Sequence, residues 1–181
     1  YGNGLYLRDR PRQNEHDLPA VQSPYSATKL AGEELIHSFV VTFGIKATVL
    51  RYFQVYGPGQ PTTGAYALVT GIFLRQYFAG EPLTIEGDGA QCRDYVHVHD
   101  VARANIGALT KNSEGRPVNI ASGDSHSIKA LADMISPNQT HLPPRRIDLK
   151  STHADIGRAK RLLGWNPTIP LHDGITEMMA R

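Results

Sequence analysis

Polar and apolar positions alternate along this chain with two periods. From Tyr25 onward, Leu30, Ala31, Glu34, Leu35, Ser38 and Phe39 continue a helical spacing to about Val41. Ser23 and Pro24 suit the cap and first turn of that helix, and Gly44 suits its end, so the pattern predicts a helix over 24–42. Lys46 to Phe53, KATVLRYF, is a β-branched and apolar run of the buried-strand type. Gln54 to Gly64 carries glycines and prolines and reads as a loop at a strand end. A second helix is expected over 65–78, stopped by Gly80, followed by short strands at 83–85 and 95–98 around the turn Gly87-Asp88-Gly89. Asp100 reads as the cap of a helix reaching Thr110. Residues 117–122 form another buried-type strand, 127–135 a helix, and Asp155 to Gly164 a helix with a glycine stop before Pro167. The last helix starts near Leu171.

A helix leading straight into a buried strand is half of a βαβ unit, which points to an α/β fold with a parallel sheet. Open sheets of that kind place ligands at the carboxyl ends of their strands. Residues 5–23, rich in polar groups and prolines, read as a surface loop.

Composition narrows the partners. The 181 residues hold 19 Lys+Arg against 17 Asp+Glu, with no basic block, so nucleic acid is not an expected partner. No apolar run is long enough for a membrane helix, and no signal-peptide pattern opens the chain. Cys92 is the single cysteine, which excludes an internal disulfide and fits a reducing compartment. The expectation is a soluble, cytoplasmic protein, and Tyr1-Gly2-Asn3-Gly4 reads as the middle of a fold.

Candidate chemistry begins at SPYSATKLAGEE. Tyr25 and Lys29 are four residues apart and share a helix face. An ammonium beside a phenol favours the phenolate, which is one way to make a general base from a group that ordinarily titrates near ~10. The same spacing also describes an ordinary exposed pair. Arg93 follows a glycine turn, where a guanidinium can fork onto a phosphate or simply be solvated. Arg145 and Asp148 sit in the proline-stiffened stretch PPRRID and are likewise open to both readings. His97, His99 and Asp100 resemble a metal cluster, but two histidines on one strand face beside a capping Asp read as structural, and no metal site is expected. No G-x-x-G-x-x-G or G-x-G-x-x-G opens a helix after a strand.

Taken in order, SPYSATKLAGEE, LRYFQVYGPGQ, LTIEGDGAQCRDYVHVHDVA, VNIASG and PPRRID…ADIGRAKRLLGW resemble the extended short-chain dehydrogenase/reductase family. Within it the likeness is to NAD-dependent nucleotide-sugar epimerases and dehydratases, UDP-glucose 4-epimerase-like members above all. The resemblance implies a Rossmann-type, doubly wound parallel sheet plus a small α/β substrate-binding domain, of which this chain matches the C-terminal half. Residues 1–60 would complete the NAD-binding domain, and 61–181 would mainly hold the nucleotide sugar, with strand 117–122 returning to the Rossmann sheet.

Position by position, the resemblance makes Tyr25 the catalytic tyrosine and Lys29 the lysine that binds the nicotinamide ribose. Tyr52 and Phe53 would lie near the nicotinamide of NAD. Gln54 stands where an asparagine usually contacts the sugar nucleotide, and its amide keeps the same donors and acceptor on a longer arm. Val69 and Ile85 fall at backbone or apolar contacts to the substrate. Arg93 and Arg145 would clamp the diphosphate and Asp148 the nucleoside ribose. Gly59 replaces a frequent arginine. The catalytic Ser or Thr and the NAD loop would lie before residue 1, so the isolated chain is expected to be inactive and to bind no NAD. The resemblance implies a 4-epimerase working through a transient 4-keto sugar. A 4,6-dehydratase, or a non-catalytic binding role for the fragment, remains open. It also implies a homodimer through the helix bearing Tyr25.

Overall fold

The computed structural model describes residues 12–17, 21, 23–64, 67–145 and 149–180. Six helices and seven short strands alternate among them. Helix α1 (Pro24–Phe43) starts with a capping box made of two serines. Ser26 N donates to Ser23 Oγ and Ser23 N to Ser26 Oγ, each at 3.1 Å. It stops at Gly44, whose φ of 65° lets its N–H reach Val40 O.

Strand β1 (Val49–Tyr52) pairs in parallel with β5 (Pro117–Ile120). β2 (Gln54–Tyr56) runs parallel to β4 (Cys92–His97), which pairs antiparallel with β6 (Ser125–Ser127). β3 (Leu83–Glu86) pairs in parallel with β7 (Gln139–Leu142). The remaining helices are α2 (Val69–Phe78), α3 (Val98–Leu109), α4 (Ile128–Ile135), α5 (Gly157–Leu163) and α6 (Leu171–Met179).

Side-chain alternation along β1 assigns the layers. Leu50 packs toward the cluster of Val96, Val101, Ala104, Val118, Ile120, Ala159, Leu163 and Trp165, and the Tyr52 hydroxyl donates to Asn105 Oδ1 of α3 at 2.8 Å. Arg51 points the other way, to Glu33 of α1. Helices therefore cover both faces of β1, as a parallel sheet requires. A separate core joins α2, α4 and α6 to β3 and to the β2–β4 pair through Tyr56, Phe73, Leu83, Ile85, Tyr95, Leu131 and Ile175. Gly174 lets α6 lie against the Tyr56 hydroxyl, where any Cβ would overlap it.

Several expected elements shift. The strand expected over 46–53 is laddered only at Val49–Tyr52, because Ala47 and Thr48 are tied instead to Asn112 and Lys111. It is also not a buried apolar strand, since its one buried side chain is Arg51. The expected loop from Gln54 begins as β2, since Gln54–Tyr56 find partners in Tyr95–His97 and the glycines and prolines act only after Tyr56. Helix α2 begins at Val69, later than expected, with Ala65 and Tyr66 outside the described residues. Strands β6 and β7, polar and three or four residues long, were not expected.

Neither expected aspartate caps its helix. His97 caps α3 and Asp100 lies in its first turn. Its buried carboxylate accepts from Thr168 N at 3.0 Å, Ile169 N at 3.1 Å and Thr168 Oγ1 at 2.9 Å, and pairs with Arg103. Asp100 thus fixes the α5–α6 connection to α3. Burial acts against its charge, but these donors outweigh it and hold its pKa below the usual carboxylate range. Ile156 occupies the cap position of α5, while Asp155 Oδ1 accepts from Gly157 N at 2.7 Å.

Candidate functional site

The expected site residues fall into three groups. Tyr25 and Lys29 lie in the first two turns of α1, with the Lys29 ammonium 5.5 Å from the centroid of the Tyr25 ring. Both face solvent, Tyr25 with 57% of its surface exposed. What fixes the rotation of α1 is Glu33, one helical repeat past Lys29. Its carboxylate accepts from Arg51 Nε at 2.8 Å and Nη2 at 2.6 Å, a bidentate pair with both side chains about 95% buried. Sequence reasoning missed this pair. Its signal was an arginine inside an apolar strand, a charge that burial tolerates only with a partner.

The second group sits at the end of β1. Tyr52 is directed to the α3 side, away from α1. Phe53 packs on Ala121, Ala154 and Ile156, and its N–H donates to Ile120 O at 3.0 Å.

The third group is built on the β2–β4–β6 sheet. Residues in register on neighbouring strands share a face. The pairs Gln54–Tyr95, Tyr56–His97 and Arg93–His126 therefore put Gln54, Arg93 and His126 on one face with Tyr56, Tyr95 and His97. Arg93 Nη1 donates to Cys92 O at 2.7 Å and to Leu149 O at 2.8 Å. Arg145, four residues before Leu149, forks onto the Glu86 carboxylate. The two arginines thus bracket one segment, 145–149. Asp148 lies in it but outside the described residues. Val69 opens α2 against the core containing Phe73, and Ile85 is fully buried in that core, leaving only its main chain toward any ligand.

The histidines differ from the expected strand pair. His97 ends β4, but His99 is already in α3, so they do not share a strand face. Their rings contact edge to face at 5.0 Å. Among the described residues no group of three His, Cys, Asp or Glu is gathered for a metal. His97 is fully buried, its Nδ1 accepts from His99 N at 3.3 Å, and its Nε2 lies 3.5 Å from Glu177 Oε2. Burial, then the His99 ring, push its pKa down, while Glu177 and Asp100 pull part of the way back. The unfolded chain takes up this proton near pH ~6.5 and the folded one only lower. Stability should therefore fall as pH drops below about 6.5. Thermal melts between pH 7.5 and 5.5 should show a smaller decline for His97→Gln than for the unsubstituted protein. An equal decline would remove His97 as the cause.

Cys92 is half-buried, its Sγ donating to Ala90 O at 3.3 Å. Among the described residues no helix is long and apolar enough to cross a membrane.

The NAD dependent epimerase/dehydratase family model matches residues 1–121. A putative UDP-glucose 4-epimerase of Methanocaldococcus jannaschii is 35% identical over 99% of this chain and 58% of its own length. The crystal structure of UDP-glucose 4-epimerase with UDP-glucose from Thermotoga maritima superposes with a TM-score of 0.92 at 33% identity, covering 99% of this chain and 60% of that one. UDP-glucuronic acid 4-epimerase from Bacillus cereus, in complex with UDP-glucuronic acid and NAD, superposes with a TM-score of 0.86 at 33% identity over 99% of this chain and 58% of that one. The chain thus spans somewhat under two thirds of the length of these relatives, and its parallel α/β architecture matches their Rossmann-like fold. Five ordered motifs, the helix-borne Tyr25–Lys29 pair and these likenesses agree, and the chain belongs to the NAD-dependent epimerase/dehydratase family of extended short-chain dehydrogenases/reductases.

Proposed function

We propose that the protein containing this chain is an NAD-dependent nucleotide-sugar 4-epimerase of the UDP-glucose/UDP-galactose type. The observation that carries this reading is the adjacency of Tyr25 and Lys29 on an open face of α1 in a chain of this family. Residues 1–60 are assigned to the NAD-binding domain and 61–181 mainly to the nucleotide-sugar domain, with strand 117–122 in the NAD-binding sheet.

A phenol and an ammonium side by side can hydrogen-bond a ribose diol, so these residues fit the nicotinamide-ribose end of NAD. They do not fit its pyrophosphate. Among the described residues, the helices that directly follow strands, α3 and α4, are capped by His97 and Ser127 without a glycine-rich turn. In this reading Lys29 holds the ribose and supplies positive charge beside Tyr25. Phe53 and the main chain of Tyr52 border the nicotinamide. Bound NAD supplies the hydride acceptor and donor for carbon 4 of the sugar.

Tyr25 takes the proton from the sugar 4-hydroxyl and later returns it. Arg93 and Arg145 hold the diphosphate and Asp148 the nucleoside ribose. Gln54 contributes an amide, with Val69 and the Ile85 main chain at the pocket wall. Gripping through the nucleotide leaves the 4-keto sugar free to turn between the two half-reactions.

The chain alone is proposed to be inactive. β1 has one strand partner among the described residues, and a groove of about 800 Å³ lined by Leu50, Tyr52, Asn105 and Leu109 runs beside it. A cytoplasmic location and a homodimer through α1 belong to the same proposal. The exposed Leu35, Ile36, Phe39 and Phe43 of α1 favour a covered face.

Full-length protein incubated with UDP-glucose, UDP-GlcNAc and dTDP-glucose, with products read by NMR, tests the reading. A 4-epimer is expected. A 4-keto-6-deoxy sugar would make it a dehydratase, and no product would leave a binding role. Calorimetry on the 181-residue chain should show no NAD binding. Micromolar affinity would mean that the cofactor site has been misplaced.

A further inference from the structure

Glu86 closes β3 opposite Leu142, the last residue of β7, so two parallel strands end side by side. The joint beyond them is tightly knit. Gly87 N donates to Leu142 O at 2.9 Å, His141 Nδ1 lies 2.7 Å from Gly87 O, and Pro144 sits over Gly87. Across this joint Arg145 Nη2 donates to Glu86 Oε1 at 2.8 Å and Nε pairs with Oε2, so the carboxylate takes one whole edge of the guanidinium. The Glu86 main chain is fixed in turn, its carbonyl accepting from Gln91 Nε2 at 3.0 Å. Two residues after Gln91 comes Arg93, anchored to Leu149 O.

We propose that Glu86 is a positioning residue for diphosphate recognition, aiming Arg145 through its side-on grip. The proposal rests on the nucleotide-sugar reading above. A long arginine loses rotamer freedom when it grips a ligand, and a neighbour that already holds it removes part of that loss. Arg145 is mostly exposed while Glu86 is mostly covered, so the carboxylate is the fixed member and the arginine the guided one. Solvent around the pair screens the repulsion between Glu86 and a phosphate, which makes orientation the larger effect.

The test is calorimetric affinity of full-length protein for UDP and for uridine, which lacks both phosphates, with kcat and KM for UDP-glucose. Glu86→Ala should weaken UDP about three- to tenfold, as expected for loss of one ordered side chain. Uridine affinity and kcat should stay unchanged, so the preference for UDP over uridine shrinks. Glu86→Asp, which keeps the carboxylate, should restore part of it. Equal weakening of UDP and uridine, or a fall in kcat with unchanged KM, would make Glu86 merely structural and overturn the proposal. Unchanged or tighter UDP binding would overturn it as well. Failure of the unsubstituted protein to bind UDP would instead sink the nucleotide-sugar reading, and this inference with it.

Discussion

Tyr25→Phe in the full-length protein is expected to lower turnover by at least about 100-fold, the usual scale for losing a general acid–base group. The substitution suits the question because it removes one oxygen and little else. Tyr25 is 57% exposed, and its hydroxyl makes no hydrogen bond among the described residues. Its loss should therefore leave the melting temperature unchanged, and affinity for the nucleotide sugar should hold, since Arg93 and Arg145, the residues proposed to grip it, stand elsewhere in the fold. A fall in kcat with KM and Tm preserved is the expected pattern. A loss under threefold would remove Tyr25 from the role of base, and the 4-epimerase proposal would lose the residue on which it turns.

The second large effect concerns stability. Glu33→Ala strands the Arg51 guanidinium in a site about 95% buried, where it now receives a bidentate carboxylate. Breaking a buried ion pair from one side costs about 3–5 kcal/mol, because the remaining charge has neither water nor partner. In a chain of this size each kcal/mol lowers Tm by roughly 2–4 °C, so a drop of about 6–20 °C is expected by circular dichroism. The double replacement Glu33→Leu with Arg51→Met should recover most of it, since the penalty belongs to the orphaned charge. A drop below about 2 °C for Glu33→Ala would mean that water reaches Arg51 and that the pair does not set the rotation of α1.

How far the fold could be read ahead depended on whether the signal was local. Helix α1 was legible because Ser23, Pro24 and Gly44 mark its ends within the chain itself. Gly164 ended α5 with a φ of 63° for the same reason. β6 and β7 were not legible: Ser125–Ser127 and Gln139–Leu142 have little apolar alternation and become strands only because β4 and β3 lie beside them. Asp100 and Asp155 looked like caps by residue type, yet α3 is capped three residues earlier, at His97, while Asp100 finds tertiary partners instead, and α5 is capped one residue later, at Ile156.

The candidate site divides the same way. The 3.6-residue period was enough to place Lys29 beside Tyr25. No local spacing could announce that Arg51 would answer Glu33 or that Arg145 would answer Glu86, because each pair closes only when a strand meets another part of the chain.

The parallel ladders bear on how such a chain reaches its native state. β1–β5, β2–β4 and β3–β7 each join strands that a tight turn cannot connect, with one or more helices intervening. Their partners meet only after long loops close, so ordering is slow compared with that of a helical bundle and leaves backbone N–H and C=O rows bare in the meantime. Crowding during synthesis or refolding therefore sets this molecule against copies of itself, and a β1 edge already covered by neighbouring polypeptide would shorten that exposed interval.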